Sequence, residues 1–259
     1  MIWETGLRGH MASLRGTETL DWSAGLFRTF NSDDIIQIAD SQQGRGYFAN
    51  AGDTLRQGLE LGATYRAQRW MAYASYSYVD ATFQSTNVIR AENNPQVATS
   101  CNSLGIPGAD SDANCLVIRP GDRMPGIPRH RFKAGFDYKL TPKWLFGADL
   151  ISASDQFFYG DEANLDKPLP GYTKVNLHSS YDVTDHVQVY GLIENLFDEQ
   201  YGIYGTYFNR GLAQTAGPGA GGAGGPDPSL RGLVYSDSNG RTITPALPFA
   251  IYGGMKVKY

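Results

Sequence analysis

The sequence has no long hydrophobic run: nowhere in its 259 residues do the roughly 18 consecutive apolar residues of a membrane-spanning helix occur, which excludes a helical membrane protein. An excess of positive charge is missing too. Lys and Arg number 22 against 26 Asp and Glu, for a net charge of -4 and an isoelectric point near 5.5, and a nucleic-acid partner would call for a basic face. Cysteine is scarce, and Cys101 and Cys115 stand too far apart for a CxxC site. The histidines, His10, His130, His178 and His186, have no metal-ligand spacing. No Gly-rich stretch follows a strand and opens a helix as a phosphate loop would. Asp33-Asp34 and Asp198-Glu199 are carboxylate pairs of the kind that surface turns carry. These absences leave no enzyme constellation and no reason to invoke a cofactor. The first residues, MIWETGLRGHMASLRG, also lack an apolar export core and a small-residue cleavage site, so the chain is expected to be a piece of a longer exported one.

What the sequence does have is Gly and aromatics, 31 glycines and 12% aromatic residues with 16 Tyr, a composition suited to strands and turns. The strands announce themselves by period two. In His130 to Leu140, Phe132, Ala134, Phe136, Tyr138 and Leu140 alternate with Arg131, Lys133, Gly135, Asp137 and Lys139. Trp144, Phe146, Ala148 and Leu150 share a face, as do Val175, Leu177, Tyr181 and Val183 opposite Lys174, Asn176, His178, Ser180 and Asp182. Val187, Val189, Gly191 and Ile193 do the same, and LPFAIYGGMKVKY sets Leu247, Phe249, Ile251, Met255, Val257 and Tyr259 against Tyr252, Lys256 and Lys258. Earlier in the chain, Leu55, Leu59, Leu61, Ala63 and Tyr65 oppose Arg56, Gly58, Glu60, Gly62, Thr64 and Arg66. The stretch from Leu20 to Asp40 reads as one extended segment, with its alternation poor at Phe27 and Arg28.

This pattern predicts an all-β fold, an antiparallel meander of about nine long strands with no helix beyond about two turns. Such alternation fits a soluble sandwich as well as a membrane barrel. A mean hydropathy of -0.35 does not separate them, because only alternate residues of a barrel strand meet lipid. Connection lengths favour the barrel: RAQR, LTPK and VTDH are short, whereas 84–129, 160–171 and 209–245 are longer. Barrels put short turns at one end and long loops at the other.

Several stretches resemble TonB-dependent outer-membrane receptors, siderophore receptors in particular. Asn195-Leu196-Phe197-Asp198 followed by Tyr201 resembles the family's NLFD…Y signature. WETGLR resembles its YE.G.K strand, and Asp34-Ile35-Ile36 its D.I segment. Asn50, Gly52, Gly58 and Glu60 match its N.G/G.E strand, and WMAYASYSYVDATF and MPGIPRH also have counterparts. The terminal strand, with Met255, Val257 and Tyr259, resembles the signal that outer-membrane barrels present to their assembly machinery.

The resemblance implies a barrel of about 22 strands with a plugged lumen, of which residues 1–259 would be the C-terminal part. The plug is without a counterpart here, and 84–129 and 209–245 would be long extracellular loops. It implies the bacterial outer membrane as location, with its lipid, the assembly machinery, and the TonB complex acting through the N-terminal region as partners. The ligand would be scarce, such as a ferric siderophore, taken up with TonB energy. Alternatives are a small stand-alone porin and a soluble β-sandwich binding protein. Lumen-lining candidates are Arg56, Glu60, Arg131, Lys133, Asp137, Lys174, His178, Lys256 and Lys258; ligand-contact candidates are Tyr204, Tyr207 and Phe208. In an exported chain, an even cysteine count points to a Cys101–Cys115 disulfide.

Overall fold

The computed structural model describes the chain except residues 14–15, 40–45, 92–93, 95, 98, 105–113, 208–234, 237–240 and 258–259. In chain order its strands are β1 (Ile2–Ala12), β2 (Thr19–Asn31), β3 (Ile35–Ala39), β4 (Gly46–Asn50), β5 (Thr54–Arg66), β6 (Trp70–Phe83), β7 (Asn87–Arg90), β8 (Cys115–Ile118), β9 (His130–Thr141), β10 (Trp144–Ala153), β11 (Tyr172–Asp182), β12 (Val187–Glu194), β13 (Gly202–Tyr207), β14 (Tyr235–Ser236), β15 (Arg241–Pro245) and β16 (Ala250–Val257). The one helical element among the described residues is a single 3-10 turn, Cys101–Leu104.

Nine of these strands form one sheet in the order β1-β2-β5-β6-β9-β10-β11-β12-β16. Every pairing within it is antiparallel. The sheet does not close on itself, and β1 and β16 each pair along one side. Because residues opposite one another in a ladder share a face, the register carries one apolar surface across all nine strands. Its row through Met11, Leu20 and Tyr65 is continued by Ala72, Phe136 and Ala148, then by Leu177, Ile193 and Ile251. Leu7, Leu26, Leu61, Trp70, Trp144, Val189, Ile251 and Met255 on this face are exposed. A large exposed apolar face of this kind marks an interface, and it is the side that a membrane barrel turns to lipid.

The alternation lost at Phe27 and Arg28 in the sequence is lost in the sheet as well, with the two side chains on the faces opposite to their character. Phe27 stands on the polar face beside Gly58, where a Cβ would meet both the Tyr78 carbonyl oxygen and the Phe27 ring. Arg28 lies opposite Trp3 and Gln57 on the apolar face, where a long stem can carry its charge to the polar boundary. One expectation needs correction. The described part of that stretch, 20–39, is two strands, because the chain turns at Asp33, whose φ is 51°, and β3 pairs with β4 in a separate hairpin. The Asp34 carboxylate holds that turn. It accepts hydrogen bonds from the Thr54 hydroxyl at 2.6 Å and the Arg56 guanidinium at 2.8 Å.

The short-turn and long-connection ends differ in kind. At the long-connection end, residues 84–129 contain the β7–β8 pair and half of the buried apolar residues among those described. Ile89, Ala91, Val97, Leu116, Ile118 and Met124 pack there with Ala51, Ala81, Phe83 and Ala163. Cys101 and Cys115 are joined by a disulfide and are both buried. A second, smaller core gathers Phe158, Leu169 and Tyr207, with Ile243 against it.

Candidate functional site

The face opposite the apolar one is polar along its whole width. Glu4 and Arg8 of β1 share it with Asp21, Arg56 and Glu60, then with Tyr73, Arg131, Lys133 and Asp137. Asp149, Lys174, His178 and Lys256 complete it. Every described lumen candidate from the sequence therefore falls on one surface; Lys258 lies outside the described residues. Glu60 sits over a shallow concavity whose lining includes Glu4, Gly6, Gly25 and Phe27.

The structure brings two groups of these side chains together. In the middle of β9–β11, His178 is held between two carboxylates. Its Nε2 lies 2.7 Å from Asp137 Oδ1 and its Nδ1 3.4 Å from Asp149 Oδ2. The Tyr73 hydroxyl donates to Asp149 at 2.7 Å. Two glycines on the same face make the space: a Cβ on Gly147 would lie 2.3 Å from His178 Nε2, and one on Gly135 would lie 2.5 Å from Asp149 Oδ1. Asp137 and His178 are among the candidates from the sequence, whereas Tyr73 and Asp149 are not, although period two puts both on the polar face.

Nearer the long-connection end stands a cationic group. Lys133 and Lys174 both lie opposite Ile151 across the β9–β10 and β10–β11 ladders, and Arg131 is two residues further along β9. Against this end, Tyr172 stacks on Tyr201 with ring centroids 3.9 Å apart. On β9 and β11, Arg131, Lys133 and Lys174 therefore stand nearer the long connections than the carboxylates that hold His178.

Of the three aromatic ligand candidates, Tyr204 is exposed and stacks on Tyr159 at 5.2 Å. Phe208 lies outside the described residues. Tyr207 is a correction. It is 2% exposed, its ring packs on Phe158, and its hydroxyl donates to Asp166 at 2.6 Å, so it pins the connection instead of facing a ligand. Asp166 also accepts from Arg241 Nε at 2.9 Å. Burial pushes the Asp166 carboxyl up, and the hydrogen bonds from Arg241 and Tyr207 outweigh it, leaving it below the usual carboxylate range. Arg241 itself lies over the Phe158 ring, 5.3 Å from its centroid.

The Asn195 to Tyr201 stretch is a corner. Asn195, with φ at 52° and 1% exposure, adopts the left-handed conformation that Asn tolerates better than most residues. Its backbone N–H donates to Asn176 Oδ1, its Nδ2 to the Glu199 and Leu247 carbonyls, and its Oδ1 accepts from Glu199 N–H. Leu196 N–H donates to the Val175 carbonyl, Asp198 Oδ1 accepts from Phe249 N–H, and Phe197 is exposed. The motif thus ends β12 and ties it to β11 on one side and to the entry of β16 on the other. Met255 and Val257 lie on the apolar face of β16; Tyr259 is outside the described residues.

The profile of the TonB dependent receptor-like, beta-barrel family matches residues 3–196. The probable TonB-dependent siderophore receptor PiuA of Acinetobacter baumannii is 28% identical over 183 residues, covering 70% of this chain and 21% of that protein. The vitamin B12 transporter BtuB of Photobacterium profundum is 28% identical over 205 residues, covering 77% of this chain and 27% of that protein. The crystal structure of the Acinetobacter baumannii PiuA receptor superposes with a TM-score of 0.61 at 18% identity, over 98% of this chain and 28% of that one. The chain thus spans about a quarter of the proteins it resembles. With a nine-stranded antiparallel wall of matching fold and the family profile over most of its length, the chain belongs to the TonB-dependent receptor β-barrel family, a family of outer-membrane proteins.

Proposed function

We propose that residues 1–259 form part of the barrel wall of a receptor that imports a scarce ligand of the ferric siderophore class, with the long connections facing outward. The plug, and the contact through which the TonB complex supplies energy, would come from outside these residues. The apolar face meets outer-membrane lipid, and the β16 residues Met255 and Val257, with Tyr259 after them, are the signal read by the assembly machinery. The wall acts by binding and passage, without chemistry on the ligand.

The observation that supports the reading is that Arg131, Lys133 and Lys174 share the polar face at the long-connection end. Among the described residues none of the three is in an ion pair. Ferric chelates built on catecholate or carboxylate oxygens carry negative charge, and a cationic cleft with low-dielectric walls concentrates such ligands. The test is uptake of radiolabelled ferric siderophore by iron-starved cells making the intact receptor, compared with its Lys133→Glu, Lys174→Glu double variant. Charge reversal should weaken binding at least about tenfold, roughly 1.4 kcal/mol, with receptor abundance in the outer membrane unchanged. Equal uptake by both would remove the cationic group from the mechanism. Uptake of cobalamin in place of any ferric chelate would move the ligand to the class named for the Photobacterium relative.

A further inference from the structure

The segment 160–166 lies where the long connections meet, and it is keyed into each of them. Ala163 enters the core with Phe83, Leu116 and Ile118. Asn94 of the 84–129 connection donates through Nδ2 to the Gly160 carbonyl at 3.1 Å and to Asp161 Oδ1 at 3.2 Å. Asn164 and Arg123 exchange two hydrogen bonds, of 2.6 and 3.0 Å. Asp166 takes Arg241 and Tyr207 from the β13–β15 sheet. The connections are fastened to one another through this stretch and through the residues just before it, where Phe157 and Tyr159 exchange backbone hydrogen bonds with Gly126, Gly205 and Tyr207.

At its centre two consecutive carboxyl groups are out of water, Asp161 at 1% and Glu162 at 2% exposure. Asp161 is well supplied, accepting the Leu165 and Asp166 N–H groups besides Asn94. Glu162 is not. Its Oε1 accepts Gly160 N–H at 3.0 Å, while its buried Oε2 has no hydrogen-bond partner among the described residues. Among the described residues no ion pair gives it a counter-charge. Asp161 beside it is itself acidic, Tyr159 is raised by burial and by the nearby Tyr204 and Glu162, Arg241 is committed to Asp166, and Arg123 to Asp155. A buried carboxylate with one oxygen unserved and no cation costs far more than the neutral acid.

We infer that segment 160–166 is a proton-held clasp: protonated Glu162 keeps the long connections fastened together, and loss of its proton to water loosens them. The external placement of these connections rests on the reading above, but the clasp itself does not. Burial above all, with a smaller push from the Asp161 charge, raises the Glu162 carboxyl to about 7 from 4.5, against the lowering effect of the Gly160 and Glu162 backbone N–H groups. Since the fastened form has the raised value, it binds the proton more tightly than the loosened one. Its advantage is greatest at low pH, falls as pH rises from 4.5 through about 7, and levels off above that.

Hydrogen exchange on the intact receptor in detergent tests this, with rates corrected for the intrinsic pH dependence of amide exchange. Opening of the Leu165 and Asp166 amides should be about thirtyfold more frequent at about pH 8.5 than at about pH 5.5, if the opened carboxyl titrates normally. Glu162→Gln, neutral at every pH, should stay protected at both. Protection of the wild type that does not change with pH overturns the clasp, as does a pH dependence that persists in Glu162→Gln. If that variant fails to assemble, the wild-type profile decides alone: a midpoint near 7 supports the clasp, and a flat profile refutes it. Ferric siderophore uptake is not an arm of this test, so its failure and that of the proposed function are separately visible.

Discussion

The strand wall and the assembly of long connections at its end are stabilised by opposite means. Apolar residues of the wall such as Leu7, Leu26, Ile251 and Met255 are exposed, and its continuity comes from unbroken antiparallel ladders. The connections, with Phe83 at the end of β6, bury theirs, Leu116, Ile118, Phe158 and Leu169 being almost wholly out of solvent, and add a disulfide and a half-buried Asp166–Arg241 ion pair. The wall is built for an apolar surrounding on one side. The connections are built as a water-soluble protein is, with the apolar side chains inside. The comparison teaches that one chain can follow two solvent rules, and that damage to either region should register in a different measurement.

The largest effect is expected at Phe83. Truncation to Ala removes a fully buried ring from the core of the connections and should cost about 3–5 kcal/mol there. Protease should then cut within 84–129 while the heat-modifiable mobility of the barrel on gels persists. Loss of both together would mean that wall and connections form one cooperative unit. Next comes Leu177→Lys, on the apolar face at mid-strand, expected to cost about 2–4 kcal/mol in a bilayer. Ser180→Lys on the polar face of the same strand should cost little. Equal losses from the two would abolish the distinction between the faces.

The wall was legible in the sequence and the connections were not, for a physical reason. A strand with different surroundings on its two faces must alternate, so Phe132 to Leu140 could be assigned a face residue by residue, and one register choice fixes a whole strand. The strand pairings of β9 through β12 and the common surface of Arg131, Lys133, Lys174 and His178 follow directly. A core made by loops has no period. Ile89, Val97, Leu116 and Ile118 are scattered among polar residues, and Asp166 meets Arg241 from 75 residues away. Tyr207 misled for the same reason: an aromatic after a strand reads as available, and only its partners reveal that it is buried. Glycines are the exception. Gly135 and Gly147, on a face otherwise charged, were a usable signal for the crowded Tyr73, Asp149 and His178 group.

The disulfide lies within the connections. Its cysteines are 14 residues apart, and closing a loop of this size contributes up to about 3 kcal/mol through the unfolded state. Thiol labelling of the unreduced, denatured protein should find neither cysteine. Reductant should expose 101–115 to protease with the barrel band unmoved. Two labelled thiols without reductant would exclude the bridge, and loss of the barrel band on reduction would show that the wall depends on it.

The smallest expected effect is at Asn195, and it bears most closely on where one region gives way to the other. Asn195 is the last point at which β12 belongs to the wall, and its side chain makes three of the hydrogen bonds that turn the chain toward β13 and hold the entry to β16. Asn195→Ala would strand the Glu199 N–H and two carbonyls in a nearly buried site, and leaving such groups unserved costs about 1–3 kcal/mol. Ala is also less at ease than Asn at a φ of 52°. Asn195→Asp restores the acceptor for Glu199 but not the donors, so it should recover part of the loss; Asn195→Gly relieves the backbone alone and should recover less. The measurement is the temperature at which the barrel loses its heat-modifiable mobility, set beside protease sensitivity at 195–201. A shift in mobility with the corner still protected would place the motif in the wall; a newly cut corner on an unshifted barrel would place it with the connections. The hydrogen bond from Leu196 to Val175 and that from Phe249 to Asp198 predict that both readouts move together.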